Sequence, residues 1–214
     1  MKTQVRMLFV TFLAMMLVCL FATVPAHADG LSVSLSPLSD VAAGSSGNTF
    51  DVLLSNTSGA SVSIGGFFFE VTSSSSDVTF TDATIATTDP YVFGTDSLFG
   101  PDIISPGSTA TDLNASDLDL SLDGFSLNPG VTVGLGHVLF NVSSGAATQT
   151  VAFSFAGFPG TSLADALGDN ISIATLDGGQ FQITGAMTAT PEPSSLFLFL
   201  AAAPLILVIR RCTN

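Results

Sequence analysis

Carboxylates are the reactive groups this sequence has in quantity. Of its 17 Asp and Glu residues, all but Glu192 fall between Asp29 and Asp177, and no Lys or Arg lies in that interval. Two carboxylates cleave a glycosidic bond when their surroundings split their pKa values, one acting as acid and the other as base or nucleophile. Acids abound here, but nothing cationic is available to orient an anionic substrate or build an ion-pair network. Base chemistry near neutral pH falls to imidazole, and the histidines are His27 and His137. His27 belongs to a leader segment. His137 sits inside a strand pattern, where a structural or surface role is expected. Serine is plentiful, yet no Gly-x-Ser-x-Gly elbow occurs. The cysteines, Cys19 and Cys212, lie in the two terminal segments, so the body has no thiol nucleophile, thiolate metal site or disulfide. The expectation is a domain that is not an enzyme.

Oxygen ligands for calcium are the remaining chemistry of such a sequence. Asp165, Asp169 and Asn170 form one acidic loop and are the candidate metal ligands. Asp117, Asp119 and Asp123 before Gly124 form a second acidic stretch, but no bidentate Glu follows at the spacing an EF-hand loop requires. If Leu118–Leu122 is a strand, Asp117, Asp119 and Ser121 line its solvent face. No cofactor is expected, with calcium the one ion to consider. For sugar binding there is no Trp and a single Tyr; Tyr91, Val92, Phe93 and Phe99, in turn-rich sequence, are the candidate platform. Asn56, Asn114, Asn141 and Asn170 head Asn-x-Ser/Thr sequons. The uniform negative charge excludes nucleic acid and anionic lipid as partners of the body.

The elements that must carry these residues read as strands. Two-residue alternation marks Leu31–Leu35, Phe50–Leu54, Leu118–Leu122, Val131–Leu135, Val151–Phe155, Ile171–Ile173 and Phe181–Ile183. Val138, Phe140 and Val142 are out of phase with Val131–Leu135, which predicts a β-bulge at Gly136. Phe67-Phe68-Phe69, within Val62–Val71, is apolar on both faces and predicts a strand buried on both sides or covered by a loop. Turn signals separate these stretches: Ala43–Asn48, Ser58-Gly59, Asn128-Pro129-Gly130, Ser144-Gly145, Pro159-Gly160 and Asp177-Gly178-Gly179. Eight or nine short strands at this spacing predict an all-β sandwich over residues 29–184. Residues 185–190 lose the alternation and read as a linker.

The ends carry addresses rather than fold. Lys2 and Arg6 precede an apolar run, Met7 to Val24, and Ala26 and Ala28 are the small residues a signal peptidase needs. Residues 1–28 therefore read as a signal peptide cleaved after Ala28. At the other end, residues 191–214 contain Pro191-Glu192-Pro193, an apolar stretch, and Arg210-Arg211. The prolines hold an extended, accessible strip. The 16 residues 194–209 would rise roughly 24 Å as a helix against a hydrocarbon core of about 30 Å, a short transmembrane span. Arg210 and Arg211 anchor its cytoplasmic side.

This three-part tail resembles the PEP-CTERM sorting signal. The resemblance implies processing by exosortase, a membrane-embedded cysteine protease, and passage to the cell surface or extracellular matrix. The helix departs from the usual pattern in having Ala201-Ala202-Ala203-Pro204 where glycines are frequent. The body resembles a cohesin-like module of the carbohydrate-binding-module type of sandwich. The likeness runs through Thr49–Leu54, Gly65–Val71, Leu139–Ala146, Leu163-Ala164-Asp165, Gly168–Ile171 and Gly178–Ile183. It implies a nine-stranded jelly roll built for adhesion or scaffolding. The expected protein is exported, transiently anchored in the inner membrane, and structural or adhesive. Its partners would be signal peptidase, exosortase and an extracellular polysaccharide or another surface protein. The alternatives are a carbohydrate- or calcium-binding module on the same fold, and a permanently tail-anchored envelope protein.

Overall fold

The computed structural model describes residues 30–105 and 107–185. Pro191, Glu192, Pro193, Arg210, Arg211, Ala26 and Ala28 lie outside the described residues, as does the linker after Gly185.

Among the described residues the fold is all β. One sheet has the order β13 (Ile173–Asp177), β1 (Leu31–Leu35), β3 (Asn48–Asn56), β9 (Thr132–Val142), β6 (Val78–Thr84). The facing sheet runs β12 (Asn170–Ile171), β11 (Ser162–Ala164), β5 (Gly66–Ser73), β10 (Gln149–Phe155), β14 (Gly179–Thr184), β2 (Val41–Ala42). The strand β7 (Asp112–Leu118) pairs along the other side of β5. A small hairpin-like pair, β4 (Val62–Ile64) and β8 (Phe125–Leu127), closes one end.

Alternation places the core. Val33, Phe50, Val52, Leu54, Val138 and Phe140 of the first sheet meet Phe69, Val71, Val151, Phe153, Phe181 and Ile183 of the second, all buried. Phe153 lies 5.1–5.3 Å, centroid to centroid, from Phe50, Phe80, Phe140 and Phe181. Such aromatic pairs contribute about 0.5–1.5 kcal/mol each beyond their area. Residues 30–185 contain no cysteine, so the domain rests on such packing rather than on disulfides.

The bulge expected at Gly136 is present. Val52 pairs with Gly136 and Leu53 with Gly134, leaving Leu135 as the extra residue. The slip lets Val133 and Leu135 face inward together with Val138, Phe140 and Val142.

The edge of the sandwich is made by two segments changing sheets side by side. β1 pairs in parallel with β13 in the first sheet, and β2 in parallel with β14 in the second. The switch after β13 falls at Gly178, where a methyl group would sit 2.3 Å from the Phe153 carbonyl oxygen. Only glycine fits that approach.

Three expectations are corrected. Leu118–Leu122 is not a strand: the strand is Asp112–Leu118, with Leu113, Ala115 and Asp117 inward, and residues 120–123 are turn. Val62–Val71 is broken at Gly65 into β4 and β5. Among the described residues the strands number fourteen rather than nine, because long runs are interrupted as they change partners. Phe68, by contrast, faces outward and is half-buried beside the loop of residues 156–160.

Candidate functional site

The acids divide into those the fold consumes and those it leaves in solvent. Asp117 is fully buried. Its Oδ2 accepts from the Tyr91 hydroxyl at 2.6 Å and from the Ser97 hydroxyl, and its Oδ1 accepts from the backbone N–H groups of Phe99 (2.9 Å) and Leu118 (2.8 Å). This carboxylate ties the segment 91–100 to β7. Burial, and then the hydrogen bond to Asp117, push the Tyr91 phenol far above its ordinary value of 10.0.

Asp119 is also buried and braces the turn after β7. Its oxygens accept from the Ser121 hydroxyl (2.8 Å), the Gly124 N–H (2.8 Å) and the Ser121 N–H (3.2 Å). Burial pulls its pKa up, but these hydrogen bonds outweigh that and hold it below 3.8. Asp117 and Asp119 therefore do not line a solvent face with Ser121, as the strand reading required. Asp123 is exposed.

His137 and Asp51 are cross-strand neighbours on β9 and β3. Nδ1 of His137 lies 2.6 Å from Oδ1 of Asp51, whose Oδ2 accepts the Thr88 N–H at 2.8 Å. Burial raises the Asp51 pKa, but the hydrogen bonds from His137 and Thr88 bring it below 3.8. The pair sits under the segment 85–90, where Thr87 packs against Gly134 so closely that a methyl there would lie 2.4 Å from Thr87. Through the Thr88 hydrogen bond the dyad fastens a covering loop to the sheet.

Asp165 and Asp169 lie in the loop between β11 and β12, and Asn170 follows as the first residue of β12, paired with Ala164. Oδ1 of Asp165 accepts from the backbone N–H groups of Leu167 (2.8 Å) and Asp169 (2.9 Å), and so closes the loop itself. Among the described residues no group of three or more His, Cys, Asp or Glu side chains converges to hold a metal ion.

The aromatic platform does not form. Val92 and Phe93 are core residues, Tyr91 packs edge-on against Phe67 and Phe93, and Phe99 alone of the four is exposed. Asn56 is buried too, its amide donating to the carbonyls of Ala60 and Leu127.

The open surface is the outer face of the second sheet. The first sheet's outer face is partly covered by the segment 85–90. On the second, Phe68, Glu70 and Thr72 of β5 stand between Asn114 and Ser116 of β7 and Ser154 of β10. Thr150, Ala152, Gln180 and Gln182 continue the plane across β10 and β14. Hydroxyl and amide groups bridge the strands: Thr72 Oγ1 to Ser154 Oγ (3.0 Å), Gln182 Nε2 to Thr150 Oγ1 (2.6 Å), Ser105 Oγ to Ser116 Oγ (2.7 Å). Where β5 meets the loop of residues 156–160, Phe68, Glu70, Asn114, Ala156, Gly157, Pro159 and Gly160 line a shallow hollow. Such a plane offers donors and acceptors with little desolvation of charge, Glu70 being the one acid near its centre. The signal that identifies the face is the register of its outward Ser and Thr positions across four paired strands, which no single segment displays.

No family model matches the sequence, and no curated protein matches it. Solved structures do. A cohesin of Clostridium acetobutylicum is 19% identical, covers 74% of this chain and 93% of its own, and superposes with a TM-score of 0.55. The sixth cohesin of Acetivibrio cellulolyticus scaffoldin B, solved with a dockerin, is 18% identical over 73% of this chain and 99% of its own, with a TM-score of 0.52. A non-cellulosomal cohesin of the archaeon Archaeoglobus fulgidus is 15% identical over 73% and 92%, with a TM-score of 0.51. The fold is thus cohesin-like.

Proposed function

We propose that this chain is an exported, non-catalytic binding module, delivered by exosortase to the cell surface or extracellular matrix. The binding part of the reading is carried by the open hydroxyl- and amide-lined face of the second sheet, on a domain that spends its buried acids on its own scaffold. Cohesins of the same fold have been solved with dockerins bound, which favours another surface protein over a polysaccharide as the first partner to test. The delivery part rests on Pro191-Glu192-Pro193, the apolar residues 196–209 and Arg210-Arg211. Signal peptidase and exosortase are then the processing partners, and the membrane is occupied only until cleavage.

The test places a cation on the face without touching the core. Ser154→Arg with Gln182→Arg, both on outward positions, is expected to shift the protein from the matrix fraction into the culture medium while its exported mass stays that of wild type plus the two substitutions. Undiminished retention in the matrix by this variant would refute the assignment of the face.

A further inference from the structure

A second surface lies beyond that face, at the end of the sandwich. Leu98, Leu118, Leu120, Leu122 and Leu167 are exposed by 44, 42, 57, 72 and 88%. Soluble domains scatter exposed leucines singly; a group of them marks an interaction site. These are grouped. The Leu98 N–H donates to the Leu118 carbonyl at 3.0 Å, and the Leu120 N–H to the Asp96 carbonyl at 2.7 Å. The loop bearing Leu167 packs onto the same end, since a methyl on Gly124 would lie 3.2 Å from the Ala166 Cβ and one on Gly65 only 2.6 Å from the Ala166 Cα. The leucines are held out rather than loosely displayed. Asp119 fastens the turn that carries Leu120 and Leu122, and Leu122 adopts φ 61°, a left-handed conformation rare for a branched residue.

Charge decides what fits. Asp96, Asp123 and Asp169 stand exposed around the leucines, and residues 30–185 contain no Lys or Arg. A second copy would set acids against acids, and an anionic membrane would be repelled. The chain's own apolar, Arg-ended tail has the right chemistry but leaves from the far end. Gly185 donates to Thr148 Oγ1, beyond the last residues of β14. The 11-residue strand β9 alone rises about 34 Å, so residues 186–195, about 33–36 Å at full extension, would be drawn taut before the apolar stretch met the rim.

We infer that this leucine rim docks a separate protein segment that presents an apolar ridge flanked by Lys or Arg. The test uses the exported protein and two synthetic helical peptides of equal length and charge, one built of Leu and Lys, the other of Ser and Lys. Affinities are read by fluorescence anisotropy at physiological salt. The Leu/Lys peptide is expected to bind at least tenfold more tightly. Leu120→Ser with Leu122→Ser, and separately Leu167→Ser on the neighbouring loop, are each expected to erase that preference while leaving Ser/Lys binding unchanged. Equal binding of both peptides by the wild type, or a preference that survives both variants, would overturn the proposal. So would a dimer in sedimentation that the leucine variants abolish, which would assign the rim to a second copy.

Discussion

Raising the pH should destabilise this domain through one hydroxyl group. Tyr91 is the only tyrosine of the chain, and residues 30–185 hold no Lys, Arg or Cys. Between about pH 9 and 12 Tyr91 is therefore the only side chain of the domain with a reference pKa in range. In the fold its hydroxyl donates to buried Asp117 at 2.6 Å, and burial and that carboxylate raise its pKa far above 10.0. A phenol raised on folding contributes stability that is complete below the unfolded value and is lost as pH rises above it. The loss grows by about 1.4 kcal/mol per pH unit, reaching about 2.7 kcal/mol at pH 12. The assay is paired. Urea unfolding is followed at pH 9, 10, 11 and 12, and tyrosinate absorbance is titrated in the same samples. Absorbance should appear only as the circular dichroism of the sheets disappears. Tyr91→Phe should start about 1 kcal/mol less stable and show no alkaline slope. A tyrosinate signal with a midpoint near 10 in protein that is still folded would refute the reasoning.

Asp117→Ala leaves the Tyr91 and Ser97 hydroxyls and the Phe99 N–H without their acceptor. It should destabilise the domain by about 3–5 kcal/mol, or about 10 °C in Tm at this size. A loss under about 1 kcal/mol in urea unfolding would contradict the network. At the acid end Asp51 and Asp119 have depressed pKa values, so their contributions are present above 3.8 and fade as pH falls through the lower folded values. Asp119→Asn should flatten that acid decline in a pH series of unfolding midpoints, and an unchanged slope would show that Asp119 does not drive it. Calcium should leave the thermal midpoint where it is, because Asp165 already satisfies the N–H groups of its own loop. A midpoint that climbs with calcium concentration and falls back with chelator would reveal a site.

The sandwich was readable wherever the alternation ran unbroken, as in Leu31–Leu35 and Val151–Phe155, and the phase slip in β9 located its bulge to the residue beside Leu135. Elsewhere the pattern misled for physical reasons. Asp117 occupies an inward position, so Leu118, Leu120 and Leu122 looked like the buried set when they are the exposed one. Strand β6 was missed because its register shifts between Phe80 and Asp82, putting Val78 and Phe80 out of step with Ala83. Tyr91, Val92 and Phe93 looked like a platform because their turn-rich setting hides the loop's return into the core. The polar face of the second sheet was hidden for a different reason: Thr72, Ser154, Thr150 and Gln182 become neighbours only through strand pairing. The acidic, cation-free character of the domain needed no structure to see, and it underlies both the alkaline prediction and the chemistry assigned to the rim's partner.

The proposed route cuts this domain free from its tail and delivers it outside the cell. Intact mass of the exported protein, from cells with and without the sorting protease, tests it most directly. A chain beginning at Asp29 and ending near Pro191–Pro193 is expected in the first case, with the longer, Arg210- and Arg211-containing form accumulating in the second. A mass retaining Arg210 and Arg211 in both would contradict it and leave a permanently anchored envelope domain.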